Sequence, residues 1–71
     1  MNKTTVYKKL GKKINLLRRD KKVTQEELAL EAGLNRAYVG YIERGERQPS
    51  IETVYKIAKV LKVKLFELFK F

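Results

Sequence analysis

The chain has 71 residues, 44% apolar and 35% charged, with a formal net charge of +9 and a pI near 10. That describes one small domain, close to the lower size limit for a self-sufficient core yet too apolar for a disordered tail. Cysteine and histidine are absent. Disulfides and thiolate chemistry are therefore excluded, and with the commonest general base and metal ligand missing, neither an enzyme nor a cofactor is expected.

The charge is unevenly placed. Residues 1–22 carry nine Lys/Arg against Asp20 alone, residues 23–50 carry three Arg against five Glu, and residues 51–71 carry five Lys against two Glu. A basic excess favours a polyanionic partner. Its concentration in residues 1–22 points to a patch that meets a phosphate backbone, whereas Lys56, Lys59, Lys62 and Lys70 read as a solvated surface. No apolar run reaches the ~20 residues of a membrane span. Charges also interrupt the N-terminal stretch every few residues, so no signal peptide is expected and the chain reads as cytoplasmic, with no membrane partner. Without secretion, the sequon at Asn2-Lys3-Thr4 carries no meaning.

Apolar spacing predicts helices throughout. The first runs from about Thr5 to Asp20, where Tyr7, Leu10, Ile14 and Leu17 make one buried stripe and Lys8, Lys9, Lys12, Lys13, Arg18 and Arg19 occupy the remaining surface. Thr24 begins the second, residues 25–32, in a capping box with Glu27, and Val23 and Leu28 form a hydrophobic staple across it. Gly33 closes that helix in the left-handed conformation. Asn35 caps a third helix, residues 35–44, which stops at Gly45. Pro49-Ser50 opens a fourth over 51–62, with Ile51, Val54, Ile57 or Ala58, and Leu61 as its stripe. A short fifth helix over 65–70 carries Leu65, Phe66, Leu68 and Phe69. The expectation is a compact five-helix, all-α domain spanning residues 1–71.

The stretch QEELALEAGLNRAYVGYIER, residues 25–44, has the pattern of a helix-turn-helix. Two helices joined by about four residues cross steeply, so the first needs a small residue at the crossing, which is Ala29. The turn needs a residue that tolerates positive φ, which is Gly33. Leu28, Leu34, Val39 and Ile42 bury the pair. With Val39 and Ile42 facing inward, the outer face of the third helix holds Ala37, Gly40, Tyr41 and Arg44, and Arg36 sits at its N-terminal edge. In such a motif the start of the second helix enters the major groove. Arg36 can pair bidentately with guanine, and Ala37 can touch a thymine methyl. The alternative for Arg36 is a surface ion pair with Glu31. Gly40 either lets the helix backbone approach DNA closely or is an unoptimised position. Tyr38 and Tyr41 can reach phosphates or bases with their hydroxyls, Tyr41 being expected among the base readers, and the alternative for Tyr38 is a half-buried place at the core's edge. Gln25 opens the helix whose N-terminus favours a phosphate, and Asn35, Arg44, Arg47, Gln48, Lys12 and Lys13 complete the expected phosphate contacts, which set register and affinity.

On TQEELA, the AGL turn, YIERGERQPS and LKVKLFELF, the sequence resembles the Cro/repressor (Xre-like) helix-turn-helix family over about Leu10 to Phe69. Within that family it is similar to the controller proteins of restriction–modification systems, which share N-R-x-Y-[VI]-x-x-[IV]-E-R. The resemblance implies a lambda-repressor-like fold and a transcriptional regulator of double-stranded DNA, with RNA polymerase a further candidate partner. It also implies DNA contacts from Gln25 and Tyr38, and a structural Glu43 paired with Arg47 across the Gly45 turn. A Cro-like or chromosomal repressor, or an antitoxin clamped to a protein, are the alternatives. Relatives usually start the last helix with Ser or Pro, where this chain has Lys64.

A single recognition helix reads too few base pairs for useful specificity, so such modules double up on half-sites one helical turn apart. Apolar residues crowd the C-terminus. Leu65 and Leu68 are expected inside, with Tyr55, Phe66, Phe69 and Phe71 at the two-fold interface of a homodimer.

Overall fold

The computed structural model describes residues 2–71. Four α-helices follow one another: α1 (Lys3–Asp20), α2 (Gln25–Ala32), α3 (Arg36–Glu43) and α4 (Ile51–Leu61), with a 3-10 turn over Leu65–Phe69. No strand occurs among the described residues, and no helix among them is long and apolar enough to cross a membrane.

Local chemistry sets each boundary. α1 starts two residues earlier than expected because Asn2, set aside as a sequon, is its cap: the side-chain oxygen accepts from the Thr5 amide at 2.8 Å. At α2 the capping box forms as expected, Glu27 N–H donating to Thr24 Oγ1 at 3.0 Å and Thr24 N–H to Glu27 Oε1 at 2.8 Å. Gly33 closes it at φ 70°, and Leu34 N–H donates back to the Ala29 carbonyl at 2.8 Å. Asn35 Oδ1 accepts from Ala37 N–H at 2.8 Å, and Ser50 Oγ accepts from Thr53 N–H at 3.1 Å.

The fifth helix is corrected to a 3-10 turn. Lys64 offers no side-chain acceptor to the first turn, and only the reverse half of a cap forms, Lys64 N–H donating to Glu67 Oε2 at 3.3 Å. Five residues with so little capping do not sustain α-helical spacing.

Leu10, Ile14, Leu28, Val39, Ile42, Val54, Ile57, Leu61 and Leu68 form the core. α3 packs on α1 and α2, α2 on α4, and the terminal turn on α1 and α4. Ile51 departs from its expected place in the α4 stripe. It is exposed at the rim of a groove shared with Tyr7, Pro49 and Phe69, and only Val54, Ile57, Ala58 and Leu61 reach the core. Arg18, expected on the surface, is buried.

The tightest approach in the fold was not visible from periodicity. Gly11 lies where α1 meets the end of α3, and a Cβ there would collide with the Ile42 carbonyl oxygen and stand 2.7 Å from that of Glu43. Space is not the constraint at Gly33, where no atom of the other described residues lies within 4 Å of the place a Cβ would take. Gly11→Ala should therefore cost roughly 3 kcal/mol, the upper range for overpacking, because backbone cannot step aside. Gly33→Ala should cost about 1–2 kcal/mol, from its positive φ alone. Urea unfolding of both variants checks the ranking, and equal losses would contradict it.

Candidate nucleic-acid interface

α3 packs on the basic α1 and leads into the chain's exit over residues 44–48. Val39 and Ile42 turn inward as expected, which leaves Arg36 and Ala37 exposed at the start of the helix and Tyr41 exposed one turn on. Arg36 makes no ion pair among the described residues, so the alternative pairing with Glu31 is not formed. Tyr38 is half-buried and packs against the core. Asn35 is exposed, with its carbonyl oxygen committed to the cap. Lys12, Arg47 and Gln48 are exposed, and Lys13 is half-buried.

Glu43 requires a correction. It does not pair with Arg47 across the Gly45 turn but points inward, 8% exposed, onto Arg18. Arg18 Nε donates to Glu43 Oε2 at 2.6 Å and Nη2 to Oε1 at 3.2 Å, while Nη1 donates to the Val23 carbonyl at 2.7 Å. Asn15 Nδ2 and Gln25 Nε2 also donate to Oε1, at 2.8 and 2.9 Å. The physical reason is register. Glu43 follows Val39 by four residues and Arg18 follows Ile14 by four, so each continues a buried stripe at its polar end. Burial opposes ionisation of Glu43, but hydrogen bonds from Arg18, Asn15 and Gln25 and the charge of Arg18 outweigh it and hold the pKa below the ordinary glutamate value.

The network fixes Gln25. A carboxylate accepts only, so the Gln25 amide must turn its nitrogen toward Glu43. One N–H remains for a ligand at the start of α2, beside the free amides of that helix terminus.

Arg47, released from Glu43, joins Arg44 around an aromatic ring: both guanidinium carbons lie 5.2 Å from the Tyr41 centroid. Arg44 Nε also donates to Glu46 Oε2 at 3.2 Å. Gly40, expected to be open on the outer face, is buried beneath the Arg44 guanidinium. At the far end of the chain, Tyr55, Phe66, Phe69 and Phe71 are all exposed, as expected. The Phe69 and Phe71 rings pair with centroids 6.4 Å apart.

Two helices closed on a left-handed glycine, the second offering an arginine at its start, define an all-α helix-turn-helix domain of the lambda-repressor-like kind. The family pattern described as helix-turn-helix matches residues 14–68, and the chain belongs to that family. The control protein C.BamHI of Bacillus amyloliquefaciens is 40% identical over 62 residues, covering 86% of this chain and 76% of that protein. The crystal structure of the restriction–modification controller protein C.AhdI from Aeromonas hydrophila superposes with a TM-score of 0.87 at 41% identity, covering 89% of this chain and 96% of that one. SinR, the master regulator for biofilm formation, in complex with DNA, superposes with a TM-score of 0.78 at 35% identity, covering 83% and 95%.

Removing one partner of a buried pair leaves the other charge uncompensated. Glu43→Gln is expected to cost about 3 kcal/mol in thermal or urea unfolding. Because the folded-state pKa of Glu43 is lowered, its contribution is present at neutral pH and is lost as pH falls through that lowered value. The gap between wild type and Glu43→Gln should therefore narrow in acid. A pH-independent gap would contradict the ionised, bonded state assigned to Glu43.

Proposed function

We propose that the protein is a transcriptional regulator that binds double-stranded DNA sequence-specifically, as a homodimer on a pseudo-palindromic operator, in the manner of a restriction–modification controller. The observation that carries the reading is Arg36, exposed and in no ion pair among the described residues at the start of α3, on a helix whose Val39 and Ile42 turn inward. A guanidinium so placed can address guanine O6 and N7 in the major groove, with Ala37 beside it against a thymine methyl. The relatives named as control and controller proteins support the same reading.

Attraction and reading fall to different parts of the chain. Residues 23–50, which contain the motif, are net acidic, so the pull toward DNA comes mainly from the basic residues of 1–22, Lys12 and Lys13 among them. Gln25, Asn35, Tyr38, Arg47 and Gln48 flank α3 and set its register on the backbone. Tyr55, Phe66, Phe69 and Phe71 supply the apolar face on which two copies meet. The protein acts in the cytoplasm, and RNA polymerase is the partner through which activation would pass.

Arg36→Ala should remove preference at one base position, worth about 1–3 kcal/mol of discrimination, and leave the others intact. Lys12→Ala should weaken binding to every duplex alike and lower the salt slope by about 1. Titrations against a selected duplex and its single-base variants check both. An Arg36→Ala protein with unchanged base preferences would overturn the assignment of the reader.

A further inference from the structure

Arg36, Gly40 and Arg44 stand at i, i+4 and i+8 on α3 and its C-cap, one above another along the outer side. The middle position has no side chain. Long side chains on a helix lean toward its N-terminus, and Arg44 leans into the gap. A Cβ on Gly40 would stand 3.1 Å from Arg44 Nη1 and 3.8 Å from both Cζ and Nη2. The guanidinium therefore rests against Gly40, one helical turn from Arg36, instead of extending past the end of α3.

Two further contacts hold it there. The Tyr41 ring lies against it, and Nε donates to Glu46 Oε2 at 3.2 Å. Neither Nη1 nor Nη2 donates to a protein acceptor among the described residues, and the Arg44 side chain is 56% exposed. Both Nη groups are thus left without a protein acceptor on a side chain held by the Tyr41 ring and Glu46, the state that bidentate recognition requires.

We propose that Arg44 is a second base-reading residue and that Gly40 is a positioning residue whose missing side chain makes the notch in which Arg44 reads. The proposal rests on the DNA-reading function argued above and moves Arg44 from the backbone contacts to the bases. Its ligand is a guanine at a base pair different from the one addressed by Arg36.

A random duplex pool, selected in parallel by the wild-type protein, Gly40→Ala, Arg44→Ala, Arg44→Lys and Arg36→Ala, tests it. Alanine is the better helix former, and the atom it meets is the tip of a flexible chain, so Gly40→Ala should melt at or above the wild-type temperature. The expected result is that Gly40→Ala and Arg44→Ala lose about tenfold or more discrimination at one shared position. Arg36→Ala should lose it at another, and Arg44→Lys should fail to restore the shared one, since an ammonium cannot reproduce the two-pronged contact. A wild-type motif that Gly40→Ala reproduces unchanged would overturn the proposal. So would an Arg44→Ala protein that binds all duplexes uniformly less well with a reduced salt slope, the signature of a phosphate contact. A wild-type protein that enriches no motif would instead overturn the DNA-reading function itself, and this inference with it.

Discussion

The Glu43 carboxylate, at the end of α3, receives hydrogen bonds from Arg18 and Asn15 on α1 and from Gln25 at the start of α2. The three helices that carry the surface assigned to DNA are joined at this group. It sets α3 against the basic helix and fixes the amide that opens α2. Through Arg18 Nη1 and the Val23 carbonyl, it also anchors the segment that leads into the capping box. Compared with an apolar cluster of the same volume, a buried pair of this kind adds little net stability. What it adds here is a defined orientation, since polar groups satisfied on all sides tolerate few alternative packings. Gly11 works at the same contact, letting the α1 backbone lie directly on the carbonyls of Ile42 and Glu43.

Much of this architecture could be read from the residues. The caps Thr24, Asn35 and Ser50, the left-handed Gly33 and the inward pair Val39 and Ile42 each follow from local chemistry, and the structure has them all. What escaped depends on contacts between elements. Asn2 passed for a sequon because its partner, an amide three residues on, exists only once the helix forms. Gly11 looks like any helical glycine until α3 is laid across it. Arg18 looked like a surface charge and Glu43 like the partner of Arg47, because neither alone reveals the other, although both continue a buried stripe at spacing four. That spacing was the available signal. Gly40 was expected to be open because a helical wheel carries no record of Arg44 folding back from the next turn.

The same placement explains how a net-acidic motif can serve a polyanionic partner. In the proposed function charge and geometry are separated: α1 would supply the long-range field, and α3 the short-range pattern of donors. The buried Glu43 does not repel DNA, because its charge is balanced by Arg18 at 2.6 Å. Glu46, an exposed carboxylate near α3, is spent on Arg44. In the proposed homodimer, the exposed phenylalanines at the other end of the chain would fix how far apart two such readers stand, and so which half-site spacing the pair can use.

The most direct test of this account is the affinity of the protein for its selected duplex and for a scrambled duplex of equal length, measured across a salt series. If the basic helix attracts and α3 reads, both affinities fall with salt along nearly parallel slopes, and the selected duplex stays about a thousandfold tighter or more throughout. Equal affinities at every salt concentration would show binding by charge alone and would contradict the assignment of α3 as a reader.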